Sequence, residues 1–172
     1  CIRDSLQPAF EQGLLDTPWY MTDGVKDAGL ASLCGLGTAL DGMKGTAPGA
    51  AAGEALEAFS AAYSQVSEDG SGNFIFAPQA YDAVMLMAIS AAANGVTGPE
   101  IASGLVAASS GGEKCIGVAC IALAADGVDV DYVGASGEIE LNEAGDPTAA
   151  TYDIWTTEGD VNPVLKSVDF GS

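Results

Sequence analysis

A change of hydrophobic period along the chain limits its fold more than any other feature. Gly53 to Val66 (GEALEAFSAAYSQV) places Leu56, Phe59, Ala62, Tyr63 and Val66 on one helical face. Gln79 to Ala93 repeats the pattern with Tyr81, Val84, Met85, Ala88, Ile89 and Ala92, opened by Pro78 and stopped by Asn94-Gly95. Pro99 opens a third helix through Ile101, Leu105 and Val106, and Cys115 to Ala125 reads as a small helical module. Beyond it the period falls to two. Gly137 to Leu141 and Thr151 to Trp155 alternate on either side of the turn residues Asn142 to Pro147, so they are expected to form a hairpin. Helices and strands in one chain point to an α/β protein rather than an all-helical one.

The amino-terminal third follows the same grammar in shorter pieces. Residues 2–12 read as a helix marked by Pro8 and closed at Gly13, and Trp19 to Thr22 read as a strand. Residues 24–45 are punctuated by glycine, with Leu30, Leu33 and Leu36 on a short helical face. Gly45 to Gly49 reads as extended chain passing between packed units, and Ser67 to Asn73 as a polar loop. The chain opens on what reads as the middle of a helix, so an amino-terminal portion is expected to precede it.

Composition narrows the function. With 48% hydrophobic residues in 172, the chain can bury one domain-sized core. Its 24 acids against 5 bases give a formal charge of -19, which repels nucleic acid and anionic membranes. No histidine is present, which removes the commonest general base and zinc ligand and argues against an enzyme. A hydrolase built on paired carboxylates is a distant alternative, since no spacing marks such a pair. No apolar run reaches the roughly 18 residues of a membrane span.

Cys1, Cys34, Cys115 and Cys120 include no CxxC pair, so disulfides in an oxidising compartment fit better than a metal site. Three pairings are open, and Cys115 to Cys120 is the easiest to close if the segment between them is not a regular helix. Asp129, Asp131, Gly134 and Glu140 fall at calcium-loop spacing, but Val133 stands where an oxygen ligand belongs and a strand follows, so no metal or cofactor is expected. Trp19, Trp155 and the pair Met85 and Met87 read as packing residues.

Five segments, in order, carry a resemblance: WYMTDG, KGTAPGA, GEALEAFSAAY, FAPQAYDAVMLMAISAA and DYVGASGEIELNEAGDPTAATYDIW. Together they resemble the carboxy-terminal half of type I periplasmic solute-binding proteins, the branched-chain amino acid receptors of ABC transporters. The resemblance implies part of a two-lobe α/β fold, with helices on a mainly parallel sheet and a carboxy-terminal hairpin. It assigns residues 1–44 to the second lobe, 45–52 to a crossover, 53–130 to the first lobe and 131–172 to a hairpin crossing back. It further implies a periplasmic or extracellular receptor, with any lipid anchor at the absent amino terminus. The implied partners are an amino-acid-like ligand, an ABC permease and the missing amino-terminal half of the same protein. The rival reading is an acidic, self-associating structural protein that keeps the fold without the pocket, since unfinished sheet edges favour pairing.

Within WYMTDG, Asp23 falls just past a strand end, where open α/β sheets place ligands. A partly desolvated carboxylate there needs a cation, and by resemblance this acid pairs with the ligand's α-ammonium. Gly24 would let a backbone approach, while Thr22 and Tyr20 would line the cleft. Gln79 and Tyr81, at the start of the long helix, would meet the ligand from the other side. Asp-Gly is also ordinary turn chemistry, so Asp23 as a turn cap is the competing reading.

Overall fold

A computed structural model describes residues 2–67 and 75–171. Cys1 and all but Ser67 of the polar loop expected at 67–73 lie outside the described residues. The chain divides into two compact units: unit 1 is Cys1–Pro48 with Tyr152–Val168, and unit 2 is Gly49–Thr151 with Asp169–Ser172. The chain passes from unit 1 to unit 2 between Pro48 and Gly49. It returns to unit 1 between Thr151 and Tyr152.

In unit 1, helix α1 (Ile2–Glu11) carries Pro8 within it, and a 3-10 turn (Leu14–Asp16) follows Gly13, whose φ of 70° only glycine adopts freely. Strand β1 is Tyr20–Met21, and a second 3-10 turn (Asp23–Val25) precedes the short helix α2 (Leu30–Cys34) and strand β2 (Lys44–Pro48). Strands β6 (Ala150–Thr156) and β7 (Val164–Phe170) complete a sheet of order β1-β2-β6-β7. β1 runs parallel to β2, and β2 antiparallel to β6. Leu6, Ala31, Cys34, Leu36, Leu40 and Met43 form one core cluster, and Trp155, Val25 and Ala47 another. Gly45 is obligatory here, because a Cβ at that position would overlap the Trp155 ring. The loop after β6 is latched by Asp160, which accepts hydrogen bonds from the Ser32 backbone N–H and hydroxyl.

In unit 2, helix α3 (Glu54–Val66) precedes α4 (Ala77–Asn94) and α5 (Gly98–Ala108). Strand β3 (Glu113–Ile116), helix α6 (Ala119–Ala125) and strands β4 (Val130–Gly134) and β5 (Gly137–Glu138) complete the unit. Pro78 and Pro99 stand in the first turns of their helices, where the missing N–H costs nothing. Thr97 and Glu100 add a capping box at the start of α5. The core joins Met85, Leu86 and Ile89 of α4 to Cys115, Cys120, Val130 and Tyr132.

The structure corrects four expectations. Cys115 to Ala125 is not one helix: Cys115 and Ile116 end β3, and the Cys115–Cys120 disulfide joins that strand to α6. The hairpin between 137–141 and 151–155 does not form. β5 folds back on β4, and β6 pairs instead with β2 and β7. Both sheets are therefore mixed rather than mainly parallel. Met87 is 44% exposed while Met85 is 5%, because residues two apart on a helix cannot share a face. The calcium-like stretch 129–140 is strand, turn and strand, with Asp131 lying 3.8 Å from the Lys114 ammonium.

Candidate functional site

Asp23 begins the 3-10 turn that directly follows β1, at the carboxyl end of the parallel pair β1 and β2. The turn closes through main-chain groups: Val25 N–H donates to Thr22 O at 3.3 Å and Lys26 N–H to Asp23 O at 2.9 Å. The Asp23 side chain takes no part. It is half-buried, and its carboxylate has no hydrogen-bond or ion-pair partner among the described residues. Lys26, the nearest ammonium in sequence, is itself largely buried and faces Asp153 at 3.6 Å. The acid that the sequence singled out therefore keeps its acceptor capacity unused.

Thr22 precedes Asp23 without capping the turn, and is exposed. Gly24 is also exposed, and a Cβ there would meet nothing within 4 Å, so the chain itself does not require a glycine. Tyr20 points to the same side of β1 as Thr22 and is 79% exposed, pairing across to Lys44. Tyr20 also lines a groove of about 400 Å³ with Asp16, Asp41 and Lys44 at the amino ends of β1 and β2.

The two candidates of unit 2 have fold partners. Gln79 Nε2 donates to Gly49 O at 2.7 Å, which ties α4 to the start of the unit, while Gln79 Oε1 is buried without a partner among the described residues. Tyr81 is half-buried against the core, its ring 5.2 Å from that of Phe59 and tilted by 51°. Its hydroxyl has no hydrogen-bond partner among the described residues.

The most highly bonded acid that the described hydrogen bonds show, Asp82, carries no mark of its partners in the sequence. Asp82, 1% exposed on α4, accepts from the Tyr132 hydroxyl at 2.8 Å and from Ala135 N–H at 2.7 Å. Its other oxygen accepts from the Ser136 N–H at 2.7 Å and hydroxyl at 2.6 Å. Burial, with the Asp82 charge beside it, pushes the Tyr132 hydroxyl well above the ordinary phenol range. The cluster fixes the β4–β5 turn, and Gly134 is glycine because a Cβ would press on the Asp82 carboxylate. AYDAV and GASG were the only traces of this pairing in the sequence, and nothing in either names the other.

The profile of the receptor family ligand-binding region matches residues 7–160, and the chain belongs to that family. Its fold is that of the type I periplasmic-binding proteins. The crystal structure of the leucine-binding protein LivK from Thermotoga maritima superposes with a TM-score of 0.61 at 18% identity, over 96% of this chain. The chain spans 42% of that protein's length. No curated protein matches it. The family and the structural relative are binding proteins rather than enzymes. No helix among the described residues is long and apolar enough to cross a membrane.

Proposed function

We propose that the chain is part of an extracytoplasmic solute receptor that delivers an amino-acid-like ligand to an ABC permease, binding by closure around the ligand without chemistry. The half-buried, unpartnered carboxylate of Asp23 supports this reading most strongly. An α-ammonium would supply a charge-assisted partner that the fold withholds. Thr22 and Tyr20 would flank the ligand, and Gly24 would leave room for it. The portion of the family fold beyond these 172 residues, in an amino-terminal half of the same protein, would supply the grip on the ligand's carboxylate.

The test is thermal unfolding of the protein as its host makes it, with amino acids added in turn. Ligand at 100 times its Kd raises stability by about 2.7 kcal/mol. A midpoint that no amino acid moves would sink the reading. A self-associating structural protein is the second reading, favoured by β7: all seven of its residues are exposed, it lies at the sheet edge, and it carries Val164, Leu165, Val168 and Phe170. Sedimentation that shows concentration-dependent assembly without ligand would support it.

A further inference from the structure

We propose that unit 2 holds a second small-molecule site, separate from the turn at Asp23, and that its ligand is a compact, uncharged aromatic molecule carrying one hydrogen-bonding group. The site is a half-open groove of about 320 Å³ lined by α3, α4, the β3–α6 turn and β4. Its volume lies at the lower end of the roughly 300–1,000 Å³ typical of ligand pockets.

Position is the first argument. Strands β3 and β4 are parallel, and the groove opens beyond their carboxyl ends, at Ile116 and Val133. Connections beyond that edge are where open α/β sheets hold ligands. Preorganisation is the second. The Cys115–Cys120 bridge closes the segment Ile116 to Ala119, which forms one wall, so that wall is fixed before any ligand arrives. The opposite wall is kept flat by Ala55, Ala58 and Ala62 of α3.

The lining then selects the chemistry. Among the described residues no carboxylate or ammonium lines the groove, although the chain carries a formal charge of -19. A charged ligand would lose its hydration with no counter-charge to replace it, so the fitting occupant is neutral. Two hydroxyls are present. That of Tyr132 is taken by Asp82, whereas that of Tyr81 has no partner among the described residues and lies 3.9 Å from where a Gly117 Cβ would stand. One free hydroxyl in apolar surroundings recognises one donor or acceptor on the ligand. The ring of Phe59 lies 5.2 Å from that of Tyr81 and 5.5 Å from that of Tyr63, so an aromatic cluster borders the groove and offers ring edges and faces to an aromatic ligand.

The probes are p-cresol, indole and toluene, titrated into the protein as its host makes it and followed by calorimetry and by the NMR signals of Tyr81 and Phe59. Saturable binding of p-cresol or indole is expected. Ala58→Trp and Ala62→Trp fill the groove from exposed positions on α3, where the fold tolerates change, and each should weaken p-cresol at least about tenfold. Tyr81→Phe should weaken p-cresol by about tenfold and leave toluene unchanged, a split that a purely structural tyrosine would not produce. Leucine should not displace p-cresol, and Asp23→Asn should not alter its binding. The proposal is overturned by any of three results: no saturation with p-cresol or indole, affinities that all three groove variants leave untouched, or displacement of p-cresol by leucine.

Discussion

Asp82 and Asp23 place the same side chain in two settings, one in each unit. In unit 2, the Asp82 oxygens accept four hydrogen bonds from Tyr132, Ala135 and Ser136, and the residue is 1% exposed. In unit 1, Asp23 is half-buried at the end of β1 with no partner among the described residues. A saturated carboxylate has no valence left for a ligand, and its donors show that it holds the fold together. An unsaturated one contributes little to the fold and keeps its acceptor sites for something else. Counting donors therefore separates the two acids more sharply than burial does.

The contrast is broken most forcefully at Asp82. Asp82→Ala would strand the Tyr132 hydroxyl and the donors of Ala135 and Ser136, and should cost about 3–5 kcal/mol in urea unfolding. A loss under about 1 kcal/mol would mean that water replaces the carboxylate, and the distinction between the acids would weaken. The disulfide is the next largest effect. Cys115→Ser with Cys120→Ser opens a short loop, and the chain-entropy estimate for so small a ring is about 2 kcal/mol. Chemical denaturation of the double variant beside the parent measures it.

Asp160 lies between the two extremes, exposed but bonded to Ser32, and offers a smaller, pH-dependent test. The Ser32 hydroxyl and then its N–H hold the Asp160 carboxyl below its usual value, while slight burial opposes them. A depressed carboxylate stabilises the fold above its unfolded pKa, and that stability is lost as pH falls through the folded value. The gap in thermal midpoint between parent and Asp160→Asn should be full at neutral pH and shrink below about pH 4. A gap that stays constant down to pH 2 would show that the latch is not electrostatic.

Local chemistry made the helices of unit 2 legible. Pro78, Pro99, Asn94-Gly95 and the apolar spacing through Met85 and Ile89 each act within one or two turns, so the sequence marks them where they occur. Strand pairing is not local. β6 finds β2 about a hundred residues earlier, with Trp155 opposite Gly45, and β5 turns back on β4 because Asp82 holds the intervening turn. Each alternating segment was visible; its partner was not. β3 was missed because four residues, Glu113 to Ile116, are too few to show a period. At the site, Asp-Gly after a strand marked the Asp23 turn, but the absence of a donor at its carboxylate is a property of the fold around it. Asp82 was overlooked for the converse reason, since its donors lie 50 to 54 residues away.

The smallest effect on stability carries the greatest weight for function. Asp23→Asn should change folding stability by no more than about 0.5 kcal/mol, because no bond of the fold is lost. The most direct measurement is calorimetric titration of the amino acid that raises the thermal midpoint into the parent and into Asp23→Asn, both as the host makes the protein. Loss of the charged partner should weaken binding by about a hundredfold, roughly 2.7 kcal/mol, with unfolding unchanged. Equal affinity in the two proteins would contradict the account.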